Sequence, residues 1–365
     1  MHKLQVAVYA ICKNESKHIK RWMQSVNEAD GIFVLDTGSD DDSVQMLRNL
    51  GAAVRTAVIT PWRFDTARNM SLDAVPQNFD ICVCCDLDEV FTPGWRQGVE
   101  SAWVPGCQQL RYPFVYQVEP NGEESFFYRN LIHSRKRFKW QYPIHETLLY
   151  TGKAALSTIT TDNFKLYHYP DKEKPRLNYL PLLEAACAEN PDNLRMLHYL
   201  GREYLYRRLY DKAVEQLSLH ALICQWPEER SASLRYLGRS LEALGRTEDA
   251  EKAFIDAVKA CPWIREPYAE LSYNYYKHGK LGGCLDMSLG ALAIATPSKQ
   301  YLNEAFAWGS MLWDLASISA FKLGYTERAF FYAKKALELS PDDPRLLENI
   351  EMISKAMKLS PFNPL

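Results

Sequence analysis

Asp86, Leu87, Asp88 and Glu89 are the residues whose types and spacing best suit chemistry. Two carboxylates stand one residue apart with a third behind them, directly after the apolar run Ile81-Cys82-Val83-Cys84-Cys85. Such a pair at the end of a buried strand suits a metal-diphosphate site: one Asp grips a divalent cation while the other holds the ribose or sugar of a nucleotide-activated donor. In a chain with 45 acidic residues, an isolated Asp-x-Asp is more often a solvated corner between strand and loop. Here the corner has company. Lys13-Asn14-Glu15 closes one apolar run, Asp36-Thr37-Gly38-Ser39-Asp40-Asp41 closes another, and Phe64-Asp65-Thr66-Ala67-Arg68-Asn69 precedes the Asp-x-Asp strand. Asp36 can accept hydrogen bonds from ribose or base, and Asn14 and Glu15 can contact the ribose or support that turn. Arg68 can pair with phosphate or stack near the base, with Asn69 supporting it.

Positioning these residues requires strands that end side by side. The pattern predicts strands over 4–11, 31–36, 53–59 and 80–86, alternating with helices over 16–26, 40–49 and 66–75, as an open parallel sheet requires. Ligands bind such sheets at the carboxyl ends of the strands. Asn14 and Glu15, Asp36, and Asp86 and Asp88 all fall there. From about 108 to 133 extended segments flank Pro120-Asn121-Gly122, a hairpin signal.

These motifs, in this order, resemble the family 2 glycosyltransferases of the GT-A fold, over roughly residues 4–170. Ile144-His145-Glu146 and Leu166-Tyr167-His168-Tyr169 resemble the His-Glu and His-Tyr elements of a subgroup whose catalytic domain is followed by helical repeats. The resemblance implies that the Asn14-Glu15 and Asp36 turns cradle the nucleotide, that the Asp65–Asn69 element closes over it, and that Asp86 and Asp88 bind Mn²⁺ or Mg²⁺, with His168 as a third ligand. An imidazole ligand favours Mn²⁺. The implied reaction inverts the anomeric centre, with a UDP-sugar the first donor to expect. The acceptor proton needs a base within hydrogen-bond reach. Glu146 is the first candidate and Glu89 the second, while His145 orients Glu146, serves as base itself, or merely caps a turn with it.

The remaining composition fits that reading. A net charge of -2 and a pI near 6.5 leave no basic footprint for bulk nucleic acid, although Arg129, Arg135, Lys136, Arg137 and Lys139 form a local patch able to meet an acidic acceptor or simply a solvated hairpin. Nine cysteines without regular spacing read as free thiols rather than a disulfide framework. Cys82, Cys84 and Cys85 lack the second ligand pair that zinc requires. No run approaches 18 apolar residues and no signal peptide is evident, so a cytoplasmic location is expected.

Past residue 174 the chain turns helical and repetitive. Gly201 recurs at Gly238 and Ala213 at Ala250, 37 residues on; Gly245 recurs at Gly279 and Ala257 at Ala291, 34 residues on, the tetratricopeptide period. The longer step to Gly324 implies an insertion near 296–303, and the count is four helix pairs. The expected architecture is an α/β catalytic domain over 1–173 with an open, mostly parallel sheet, then an all-α solenoid over 174–365. The solenoid stabilises, dimerises or recognises a peptide. Two other functions fit the sequence less well: a non-catalytic scaffold around a nucleotide-binding domain, and a nucleotidyltransferase, which lacks its Gly-rich phosphate loop here. The acceptor class (protein, glycan or lipopolysaccharide, or modified nucleobase) is open.

Overall fold

The computed structural model describes residues 3–118, 122, 124–171, 179–298, 300 and 302–358. The chain divides into two compact units, Met1–Glu189 and Asn190–Leu365. The first contains β1 (Val6–Cys12), α1 (Ser16–Val26), β2 (Gly31–Asp36), α2 (Ser43–Asn49), β3 (Ala53–Thr56), α3 (Phe64–Ala74), β4 (Ile81–Cys84), β5 (Glu89–Phe91) and α4 (Trp95–Ala102). It continues through β6 (Gln109–Val118), β7 (Glu124–Ser134), β8 (Phe138–Gln141), β9 (Thr147–Tyr150), β10 (Thr158–Thr160), β11 (Leu166–His168) and α5 (Leu180–Glu189).

β1 organises this unit because both of its faces are buried. Val6, Val8, Ala10 and Cys12 face a core with Ile19 and Trp22 of α1, whereas Ala7 and Tyr9 face a second core with Leu72 of α3 and Trp140. The strand order is β3-β2-β1-β4-β7-β6-β11-β5, with β10 also on β6. β2, β1 and β4 are parallel neighbours, as is β3 on β2. Beyond β4 the sheet is mixed: β7 runs antiparallel to β4 and β6, and β5 antiparallel to β11. The expected open, mostly parallel sheet is realised as a mixed one: β3, β2, β1 and β4 are all parallel, β11 and β10 also run parallel to β6, and β7 and β5 supply the antiparallel pairings. β6 and β7 form the expected hairpin; Pro120 and Asn121 of its turn lie outside the described residues. β8 and β9 form a separate antiparallel ribbon. Since β2 and β4 flank β1 on opposite sides, the carboxyl ends of β1 and β4 meet at a topological switch point, where an α/β sheet opens a crevice.

The first unit extends past the boundary expected at 173/174, residues that themselves lie outside those described. α5 belongs to it, and Arg63 bonds Glu189 at 2.5 Å across 126 residues of sequence. All nine cysteines are free thiols, eight of them buried. Among the described residues no helix is long and apolar enough to cross a membrane.

The second unit stacks antiparallel helix pairs: α6 (Leu194–Tyr206) with α7 (Tyr210–Ile223), α8 (Pro227–Ala243) with α9 (Thr247–Ala260), α10 (Arg265–Lys277) with α11 (Leu281–Leu292), and α12 (Met311–Lys322) with α13 (Thr326–Leu339). These four pairs are followed by α14 (Pro344–Lys358). The recurring glycines have two distinct causes. Gly245, Gly279 and Gly324 follow the first helix of a pair in the left-handed region, at φ of 75°, 70° and 83°, where a side chain is strained. Gly201 and Gly238 instead let the paired helices approach: a Cβ on Gly238 would stand 2.5 Å from the Phe254 ring, and one on Gly201 2.6 Å from Leu217. Between α11 and α12 the longer connection carries a 3-10 turn, Ala305–Ala307, within the predicted insertion's neighbourhood; Lys299 and Tyr301 lie outside the described residues.

Gly238→Ala should therefore lower the stability of the repeat unit by about 1–3 kcal/mol through overpacking. Gly282→Ala, with open space around its Cβ, should leave it unchanged or higher. Urea unfolding followed by helical circular dichroism checks both; equal midpoints for the two variants would refute the close-packing account.

Candidate functional site

The turn after β2 is held by its own first residue. Asp36 Oδ1 accepts from the Gly38 and Ser39 backbone N–H at 3.1 Å each, and its Oδ2 accepts from Ser39 Oγ at 2.5 Å. Ser39 Oγ in turn receives the Asn14 N–H at 2.8 Å, and Asn14 Oδ1 accepts from the Asp40 N–H at 2.9 Å. Glu15 N–H donates to Ser43 Oγ at 2.9 Å. The two turns expected to cradle a nucleotide are thus one bonded unit at the ends of β1 and β2. Asn14 adopts φ of 55°, a conformation costly for a residue other than glycine and held here by these bonds.

Opposite them, Arg68 gathers the acidic residues. α3 is tied to β1 by Ser71 Oγ donating to Ala10 O at 2.7 Å, so Arg68, on its buried face, reaches over the end of β4. Its guanidinium donates to both Asp86 oxygens at 2.5 and 2.9 Å, and Arg68 Nε donates to Glu146 Oε1 at 3.0 Å. Burial works against the Arg68 charge, but Asp86, Cys84 and Glu146 outweigh it and push the pKa well above the ordinary value. Burial raises Asp86, yet Arg68 more than offsets this, leaving the carboxyl below its usual range. Asp65 serves the same helix from its start, pairing bidentately with Arg63 at 2.9 and 3.0 Å. Asn69 exchanges two 2.9 Å hydrogen bonds with the Trp140 backbone, pinning β8 to α3.

The two candidate bases part company here. Glu89 is 2% exposed; its Oε2 accepts the Asp86 N–H at 2.9 Å and its Oε1 pairs with Arg129. Burial pushes Glu89 above the usual carboxylate range despite Arg129. It shapes the corner and is closed to an acceptor. Glu146 keeps 14% side-chain exposure and, among the described residues, bonds through one oxygen only. His145 precedes it at φ of 49°, with the Tyr179 ring 6.1 Å away.

Asp88 and His168 come together across strands. β11 lies antiparallel to β5 with His168 opposite Glu89, and His168 Nε2 stands 3.2 Å from Asp88 Oδ2. Each side chain is 29% exposed. An oxygen and a nitrogen at that separation, open to solvent, fit two corners of a divalent-ion site that substrate phosphates complete. Asp86, expected as a further ligand, is occupied on both oxygens by Arg68. Beside His168 lies a cavity of ≈ 470 Å³ lined by Lys17, His18, Arg21, Tyr169, Pro170 and Asp171. Arg21 stacks on the Tyr169 ring at 4.3 Å.

Sequence reasoning missed Arg129, placing it in a surface patch. The structure divides that patch. Arg129 turns inward to Glu89 and over the Phe114 ring at 4.4 Å, and Arg135 is buried with Nε donating to Val75 O; Lys136, Arg137 and Lys139 stay exposed. Strand alternation offered the only signal, since Arg129 shares a face of β7 with Phe127, opposite Tyr112 of β6; a bulge between Arg129 and Ile132 then puts Leu131 on the other face.

A tetratricopeptide repeat model matches residues 310–343, the α12–α13 pair. Over 116 residues the chain is 29% identical to an uncharacterized glycosyltransferase of Rickettsia prowazekii (strain Madrid E), a stretch spanning 32% of this chain and 38% of that protein. Among solved structures, MamA aligns at 17% identity over 46% of this chain and 89% of its own, TM-score 0.38. A tetratricopeptide protein of Thermus thermophilus aligns at 21% over 48% and 88%, TM-score 0.35.

The Asp88–His168 pair makes a pH prediction. Burial lowers His168, but the Asp88 hydrogen bond and charge prevail, so its pKa is raised above the ordinary imidazole value. A raised folded pKa contributes stability that is fully present below the unfolded value and is lost as pH rises through the folded one. Stability of the wild type without added metal should therefore decline in a window just above pH ~6.5, and His168→Gln should remove that decline. Mn²⁺, competing with the same proton, should stabilise the wild type more at the upper end of the window. Denaturation across pH with and without Mn²⁺ reads both, and identical profiles for wild type and His168→Gln would sever the pair from the pH response.

Proposed function

We propose that the first unit is a metal-dependent, inverting glycosyltransferase that moves a sugar from a nucleotide-sugar, a UDP-sugar foremost, to an acceptor hydroxyl, amine or thiol. The observation that carries this reading is that Arg68 joins Asp86 and Glu146 while Asp88 and His168 pair on the same corner after β4, at the strand ends that also bear the Asn14–Asp36 turns. The distant likeness to an uncharacterized glycosyltransferase points the same way.

Each side chain then has a task. The Asn14–Asp36 turns seat the nucleoside: Asp36, 2% exposed and bonded through both oxygens to Gly38 and Ser39, shapes the turn rather than meeting the ligand, and the Glu15 side chain meets ribose or base. Asp88 and His168 hold Mn²⁺ or Mg²⁺, which when bound neutralises the leaving diphosphate. Arg68 fixes Asp86 toward the donor and holds Glu146 by one oxygen. The other Glu146 oxygen takes the acceptor proton as the acceptor attacks C1 and the bond from C1 to the diphosphate oxygen breaks. The repeats supply protein recognition, of an acceptor or of a second copy of the chain. A scaffold reading is favoured only by those repeats, and a sugar-phosphate nucleotidyltransferase by the α/β sheet alone.

UDP with Mn²⁺ should raise the melting temperature of the wild type, by the equivalent of about 2.7 kcal/mol at a hundredfold excess over Kd. Asp88→Ala should fold normally and lose the Mn²⁺-dependent part; equal shifts in both proteins would remove Asp88 from the metal.

Glu146→Gln should retain that shift while transfer slows by about 10²–10⁴. Near-normal turnover in this variant would remove Glu146 as the base.

A further inference from the structure

The repeat unit holds a second group of ligating side chains that the proposed transfer does not use. His220 and Cys224 stand four residues apart at the C-terminal end of α7, on one helical face, and Glu229 lies in the first turn of α8. An imidazole nitrogen of His220, Cys224 Sγ and a Glu229 carboxylate oxygen all lie within 4.8 Å of one another, and all three residues are buried. His220 Nε2 is 3.1 Å from Glu229 Oε1. Two ligands bound tetrahedrally to zinc at about 2.0–2.1 Å stand roughly 3.3 Å apart. The ring of His198, on α6, is centred 5.4 Å from that of His220. His198 Nδ1 bonds Ser233 Oγ at 2.7 Å, but its buried Nε2 has no hydrogen-bond partner among the described residues. A His220–Glu229 hydrogen bond accounts for one edge of this arrangement. That bond and the Cys224 Sγ donation to Trp226 O at 3.6 Å leave the buried His198 Nε2 beside them unexplained.

We propose that His220, Cys224 and Glu229 bind a zinc ion between α7 and α8, with His198 Nε2 within a side-chain adjustment of the fourth position. Thiolate and imidazole select zinc over the harder Mn²⁺ or Mg²⁺, which sets this site apart from Asp88 and His168. Cys224 binds as thiolate, so its proton leaves to solvent as the Zn–S bond forms. The ion would clamp the first helix pair of the solenoid to the second.

Titrating the chelator-dialysed full-length protein with Co²⁺ tests this, because only a thiolate ligand gives a sulfur-to-cobalt charge-transfer band in the near ultraviolet. The expected result is a band that saturates at one equivalent with the strong visible bands of tetrahedral cobalt, disappears on adding Zn²⁺, persists in Asp88→Ala and is missing in Cys224→Ser. Glu229→Gln, which preserves the hydrogen bond to His220, should weaken Co²⁺ binding about tenfold or more. No band in the wild type overturns the proposal whatever the variants do. A band that survives Cys224→Ser, with eight other thiols in the chain, overturns it equally.

Discussion

A guanidinium withdrawn from water stays charged at tolerable cost only where carboxylates meet it, and Arg68 is met by two that are far apart in sequence, Asp86 and Glu146. That requirement fixes three pieces of backbone at once. α3 must dock on β1, which Ser71 secures; the corner after β4 must present Asp86 edge-on to the guanidinium; and the segment before β9 must fold back, with Pro143 O accepting from Phe64 N–H at 3.0 Å. Asn69, one residue along, bonds the β8 backbone as a neighbouring strand would. The crevice at the switch point is thus walled by elements that one side chain and its neighbours align.

Within that frame, environment gives similar acids different work, in the way burial and neighbouring charge separate paired carboxylates in general. Asp86 is held ionised by Arg68. Glu89, sealed beside Arg129 and bonded to the Asp86 N–H, keeps the corner tight. Asp88 and Glu146 alone combine one fixed contact with solvent access, the condition for gripping an ion or taking a proton. The proposed division of labour between them follows from exposure rather than from residue type.

Much of the site was legible because parallel strands end on one edge. Asn14, Asp36 and Asp86 declare themselves by following apolar runs, and the structure joins the first two through Ser39. Gly245, Gly279 and Gly324 were legible as a period for an equally local reason, the left-handed turn each one makes. What escaped depends on distant packing. Arg129 reads as a surface cation until the β6–β7 register turns it toward Glu89, and the mixed half of the sheet hangs on β11 inserting between β6 and β5. The first unit runs on to Glu189, which Arg63 meets from 126 residues away, a contact no local pattern announces. The His220, Cys224 and Glu229 spacing matches no ligand motif, and its geometry exists only once α7 and α8 pack.

The central claim is that this crevice breaks the bond between a sugar and its nucleoside diphosphate. Proton NMR of the wild-type protein with diamagnetic Mg²⁺ and a panel of nucleotide-sugars, followed without acceptor so that water takes its place, tests it directly. The account predicts slow release of nucleoside diphosphate from one donor class, with the free sugar appearing first as the anomer opposite to that of the donor. An intact panel, together with pyrophosphate release when nucleoside triphosphates and sugar phosphates are supplied instead, would contradict it.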